Sequence, residues 1–137
     1  MAQVPIHPGL FTLPGDPRGP RLLAARCAAC AGLHFPAGET CPWCGVEGCS
    51  EEAIGAEGTL SLWTTVRNAP PGYSGPIPYG FGVVDLPEGL RVVARLTESR
   101  DENLRAGLPL VLEVAPLFVD DAGDEVLGFA YAPRTER

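Results

Sequence analysis

The sequence predicts a mainly β protein: an N-terminal rubredoxin-like zinc ribbon followed by a five-stranded barrel of the OB type. Three observations predict it. Two Cys-x-x-Cys pairs, Cys27/Cys30 and Cys41/Cys44, stand ten residues apart. From Gly58 onward, short segments alternate apolar and polar residues. Gly and Pro supply 17 and 15 of the 137 residues, and they fall between the apolar runs, where they mark turns. The expected organisation is an arm over residues 1–21, the ribbon over 22–50 and the barrel over 51–137.

The arm carries Pro5, Pro8, Pro14, Pro17 and Pro20, so it reads as irregular. Its apolar members Val4, Ile6, Leu10, Phe11 and Leu13 are free to dock on the body or on a partner. The ribbon holds every cysteine. Thr59 to Arg67 is the clearest strand, with Leu60, Leu62, Thr64 and Val66 expected on one face and Thr59, Ser61, Trp63 and Thr65 on the other. Gly80 to Leu86 and Leu90 to Leu96 form a hairpin around the turn Pro87-Glu88-Gly89. The polar stretch Glu98 to Ala106 leaves room for one helical turn. Leu110 to Val119 is the fourth strand, and Pro116 within it implies an edge or a bulge. Asp120 to Asp124 turns the chain into the last strand, Val126 to Tyr131. Five strands with a long third connection match a Greek-key barrel of the OB type, with an open sandwich fragment as the competing architecture.

Composition narrows the function. The chain is 45% hydrophobic and 20% charged, which is globular rather than disordered. Its formal net charge of −7 argues against phosphate-backbone binding as the main task. All ten basic residues are Arg, so chemistry that needs a Lys Schiff base or a P-loop Lys is excluded. No run reaches 18 uninterrupted apolar residues, so no transmembrane helix is expected. The first 20 residues lack the charged start and apolar core of a secretory signal. A cytoplasmic, reducing setting is therefore expected, where five cysteines favour metal over disulfides.

Two facing Cys-x-x-Cys knuckles offer four thiolates in tetrahedral disposition, which suits zinc in a closed structural site. Leu22, Leu23, Leu33, Phe35 and Trp43 flank the ligands. They are too few to fold about 25 residues unaided, so bound metal supplies the missing free energy. Iron in a rubredoxin-like site is the alternative ion, since Cys41-Pro42-Trp43-Cys44-Gly45 has that look. Cys49 is a spare thiol or a substitute for Cys44. His34, between the knuckles, is a substitute ligand or, more simply, a surface or hairpin histidine.

The sequence carries no catalytic constellation. His7 and His34 are the only histidines, and no serine sits in a nucleophile elbow. Glu51-Glu52, Asp101-Glu102 and Asp120-Asp121 read as solvated turn residues. The loop Asn68 to Tyr79 is stiff, aromatic and uncharged; with Tyr73 and Tyr79 it reads either as a plug closing the barrel or as a preordered binding surface. Arg91 and Arg95 share one side of the third strand and form, with Arg100 and Arg105, the one positive cluster. A nucleic-acid-binding ribbon/OB module is the alternative function, and the acidic balance opposes it.

The ordered features resemble a known family. They are Cys27, Cys30, Pro36, Cys41 and Cys44, then Gly58, Pro78-Tyr79, Gly89, Gly107 and Phe129-Ala130-Tyr131-Ala132-Pro133. Over residues 20 to 134 they resemble the zinc-ribbon/OB-fold acyl-CoA-associated family, domain of unknown function thirty-five. The resemblance implies a non-catalytic accessory subunit of thiolase-superfamily enzymes acting on acyl-CoA thioesters (thiolase, acyltransferase or aldolase), without nucleic acid or membrane. The catalytic Cys and His then belong to the thiolase-like partner, while the small subunit docks and shapes the acyl-CoA channel. It further implies a bound metal on Cys27, Cys30, Cys41 and Cys44; the loop aromatics Tyr73 and Tyr79 and the strand arginines Arg91 and Arg95 are then the candidate residues facing the partner or the acyl-CoA.

Overall fold

A computed structural model describes residues 2–134. The N-terminal arm is less irregular than its prolines suggest. Its first segment is a short strand, β1 (Gln3–Pro5), which pairs in parallel with Glu125–Leu127 near the far end of the chain. Farther on, Phe11 is buried and bridges to Leu22.

The ribbon is a three-stranded antiparallel sheet of β2 (Leu22–Arg26), β3 (Leu33–His34) and β4 (Ser50–Ile54), with β2 in the centre. Glu51 and Glu52 therefore lie in a strand, not in the turn expected from their charge. Pairing with β2 sets the conformation here, and Arg26 accepts the charge: its Nε donates to Glu52 Oε1 at 2.7 Å.

Five further strands follow: β5 (Glu57–Val66), β6 (Tyr79–Asp85), β7 (Arg91–Leu96), β8 (Pro109–Val119) and β9 (Glu125–Pro133). They close in the order β5-β6-β7-β9-β8 and back to β5. β7 meets β9 in parallel, and every other contact around the ring is antiparallel. This is the OB barrel. A single 3-10 turn, Asp101–Asn103, occupies the long connection. The Leu86–Leu90 turn is closed by Gly89 at φ +99° donating to the Leu86 carbonyl, a backbone region in which glycine is favoured.

One expectation about β5 fails. Leu60 is buried, yet Leu62 is 66% exposed. The register with β6 slips between Leu60 and Leu62: Ser61 is the extra residue of a bulge, and a single inserted residue exchanges the two faces of everything beyond it. Trp63 consequently turns inward, packs on the core and donates through Nε1 to Asp101 Oδ1 at 2.8 Å. The bulge implied by Pro116 is present in β8, where the register shifts between Pro116 and Phe118.

Ribbon, arm and barrel share one core. Phe11, Leu22, Ala24, Leu33 and Ile54 belong to the same buried cluster as Leu60, Val84, Leu96, Leu110 and Tyr131. Phe129 of β9 receives Phe11 at 5.9 Å between ring centroids and Phe35 at 6.1 Å. Where the ribbon sheet hands over to the barrel, the Tyr131 hydroxyl donates to the Gly55 carbonyl at 2.8 Å. The apolar area that the ribbon lacks on its own is thus supplied by its neighbour.

Candidate metal centre

The two knuckles are built alike. In the first, Cys27 N–H donates to the Gly32 carbonyl and Ala31 N–H donates back to the Cys27 carbonyl, each at 2.9 Å. In the second, Cys41 N–H donates to the Val46 carbonyl at 2.9 Å and Gly45 N–H to the Cys41 carbonyl at 2.8 Å. Both loops need a left-handed residue just after the second cysteine. Gly45 takes it at φ +80°, whereas Ala31 takes it at φ +63°, at a steric cost that glycine avoids.

These turns aim backbone N–H groups at sulfur. Ala29 N–H points to Cys27 Sγ at 3.3 Å, Gly32 N–H to Cys30 Sγ at 3.4 Å and Trp43 N–H to Cys41 Sγ at 3.4 Å. Donors placed this way favour thiolate over thiol. The Cys30 and Ala29 amides lower the Cys27 thiol to about 6 against the opposing effect of burial. Cys41 is also lowered: burial works against it, and the Cys44 and Trp43 amides overcome that. Cys44 goes the other way, up to about 12; the Val46 amide favours its thiolate, but Cys27, burial and the other sulfurs outweigh it. Four sulfurs this close cannot all carry charge without a cation among them.

The four Sγ atoms lie within 4.8 Å of one another. Cys27 and Cys44 are 3.6 Å apart, and Cys30 and Cys41 are 3.7 Å apart. Tetrahedral coordination at a metal–sulfur distance of about 2.3 Å requires sulfur–sulfur edges of about 3.8 Å. The donor set therefore suits a four-coordinate metal ion, with two of its edges already close to that length. Each knuckle contributes one buried cysteine, Cys27 or Cys41, and one exposed cysteine, Cys30 or Cys44.

His34 is not part of this cluster. It is buried in the β2–β3 hairpin, with Nε2 3.2 Å from the Gly38 carbonyl oxygen. Cys49 sits alongside the cluster but outside the four atoms that converge. Burial and the neighbouring Cys27 and Cys41 push its thiol up. Cys49→Ser is accordingly expected to leave one metal ion per chain, measured by elemental analysis; loss of the metal would make Cys49 a ligand.

The other expected site residues divide. Tyr73 and Tyr79 come together, with ring centroids 4.9 Å apart. Tyr73 is held by its hydroxyl on the Pro76 carbonyl at 2.7 Å, and Arg95 lies near enough to act on the Tyr73 hydroxyl, which burial pushes up. The loop tip rests on β8: a Cβ at Gly75 would lie 2.8 Å from the Leu117 side chain. Arg91 is separate. Its Nε donates to Asp85 Oδ1 at 2.6 Å, and four strand steps, about 13 Å, divide it from Arg95. The sequence reading overlooked the outward row Leu62, Val83 and Val93, because the bulge at Ser61 concealed that Leu62 faces out.

Comparison with known proteins adds four findings. The family model described as the ChsH2 C-terminal OB-fold domain matches residues 51–115. A DUF35 domain-containing scaffold protein of Pyrococcus furiosus is 31% identical over 114 residues, covering 82% of this chain and 83% of that protein. Benzoylsuccinyl-CoA thiolase subunit BbsA of Thauera aromatica is 37% identical over 90 residues, covering 66% of this chain and 61% of BbsA. Among solved structures, the Ltp2-ChsH2(DUF35) aldolase aligns with a TM-score of 0.65 at 28% identity, over 82% of this chain and 84% of that one.

Proposed function

This chain belongs to the DUF35 family, and on that premise we propose that it is a non-catalytic accessory subunit of a thiolase-superfamily enzyme acting on acyl-CoA thioesters. The observation that carries the reading is a four-cysteine clamp beside a barrel that, among the described residues, gathers no nucleophile, base and orienting group in one place. Relatives named as a thiolase subunit and as part of an aldolase complex support it. The catalytic residues then reside in the larger partner, in a cytoplasmic setting where thiols stay reduced.

In this reading zinc is the ion on Cys27, Cys30, Cys41 and Cys44, chosen because four soft thiolates in a closed site suit it. Its contribution is structural: it crosslinks residues 27–30 to residues 41–44. The chain's own residues do the rest. The cross-braced loop bearing Tyr73 and Tyr79 presents a rigid aromatic surface that loses little entropy on binding. Arg95 beside it offers a cation, unpaired among the described residues, for an anionic group of the partner or of the acyl-CoA, whereas Arg91, at the far end of β7, already serves Asp85 and faces the partner as half of that pair. The formal charge of −7 disfavours a nucleic-acid role.

The test is co-expression with each thiolase-superfamily protein of the same genome. A stable complex is expected with one of them, and failure to co-purify with any contradicts the reading. Within that complex, Tyr79→Ala is expected to reduce turnover by about tenfold, equivalent to about 1.4 kcal/mol of transition-state stabilisation, while leaving assembly intact. An unchanged turnover rate removes Tyr79 from the acyl-CoA-facing surface.

A further inference from the structure

The outer face of the barrel between β5 and β7 is apolar where a solvated sheet would be polar. Beyond the Ser61 bulge, Leu62 lies opposite Val83, and Val83 lies opposite Val93. Leu62 is 66% exposed and Val93 57%. In the next row Thr64 lies opposite Phe81 and Phe81 opposite Arg95, with Phe81 itself 39% exposed. Leu62, Thr64, Phe81, Val83 and Val93 line a shallow depression of about 220 Å³. Single exposed apolar residues are ordinary on a protein surface, whereas a contiguous patch across three strands marks an interaction site. This is also the sheet face that OB barrels offer to ligands.

The charges around the patch select among occupants. At one end Asp85 is satisfied by Arg91. At the other, Arg95 makes no ion pair among the described residues. The face therefore carries a positive excess on a chain of formal charge −7. A second copy would present the same excess and no free carboxylate, so two copies face to face leave Arg95 uncompensated. A nucleic-acid strand finds one unpaired cation among aliphatic side chains, too few for a backbone track. A protein partner with an apolar patch and a carboxylate at its edge fits both features.

We propose that the outer face of β5, β6 and β7, centred on Leu62, Val83 and Val93, is the seat of the thiolase-like catalytic subunit, with Arg95 receiving a carboxylate of that subunit at the rim. This rests on the accessory-subunit reading above. All three strands lie within the segment that matches the family model.

The test uses the full-length, metal-loaded chain against each purified thiolase-superfamily protein of the same genome, immobilised in turn. Val93→Arg is expected to raise the Kd at least tenfold for the partner that binds wild type, and Arg95→Glu at least fivefold. Both positions point outward, so each variant's melting temperature serves as a control on folding. Ile6→Arg, at an exposed apolar position of the arm, is expected to bind as wild type does. Wild-type binding by Val93→Arg and Arg95→Glu overturns the seat and leaves the accessory reading standing. Equal weakening by Ile6→Arg also overturns it, because the effect is then not local to this face. A wild-type dimer that Val93→Arg dissociates while catalytic-subunit binding persists overturns it in favour of a second copy. Absence of any wild-type partner overturns both readings.

Discussion

Replacing Cys41 with serine is expected to release the metal and unravel both knuckles. Cys41 is 1% exposed, and its sulfur accepts the Trp43 amide. Serine offers a hard, protonated oxygen where a soft thiolate belongs. Three thiolates then remain close together without the cation that compensates them. Structural zinc contributes about 10–16 kcal/mol to the folding of isolated zinc-finger peptides. Here Leu22, Ala24 and Leu33 are anchored in the barrel core, so β2 and β3 are expected to survive and the loops beyond them to open. A loss of about 3–5 kcal/mol follows, the size seen when a crosslink is removed from a small domain. Elemental analysis should fall from one metal ion per chain to near none. The signal of Trp43, whose Nε1 donates to the Leu33 carbonyl at 3.0 Å, should change with it. Cys44→Ser should be milder, because Cys44 is exposed and water can take its place. Wild-type metal content and melting in Cys41→Ser would contradict the clamp.

Gly80→Ala should be the most damaging single methyl in the barrel. A Cβ there would collide with the Glu98 carbonyl oxygen and lie 2.9 Å from Leu96 Cβ. Neither neighbour is a flexible tip, and β6 is paired on both sides at this residue, to Thr65 and to Leu96. The strain has no outlet, so the expected loss is about 3 kcal/mol, at the upper end of overpacking effects. That corresponds to a melting temperature lower by about 10 °C for a chain of this size. Gly38→Ala is the control: its Cβ would sit at ordinary contact, 3.7 Å from His34 Nε2, and stability should change by less than about 0.5 kcal/mol. Equal melting of the Gly80 and Gly38 variants would mean that β6 can move.

The barrel strands were legible in the sequence because each pairs a period-two pattern with a Gly or Pro stop. The metal cluster was legible because chain spacing alone brings each Cys-x-x-Cys pair into one loop. What escaped depends on contacts distant in sequence. The arm strand Gln3–Pro5 has no local signal; it forms because β9 has an open edge beside it. β2 is a run of Leu and Ala that declares no period, and it is a strand because β3 and β4 flank it. Leu62 was misplaced because a bulge leaves no mark in composition: Ser61 reads as one more step of the alternation. With that step miscounted, the cross-strand row Leu62, Val83 and Val93 could not be seen from any one strand. Tyr73 and Tyr79 stand out in the sequence as loop aromatics, but their tilted ring contact depends on how the loop folds onto Leu117.

The most direct measurement is acyl-CoA turnover by three metal-loaded samples: this chain alone, the thiolase-like protein that it binds, and the two together. The account predicts no turnover by this chain alone and full turnover only when both are present. Thioester turnover by this chain unaided, or a catalytic protein whose rate is indifferent to its addition, contradicts it.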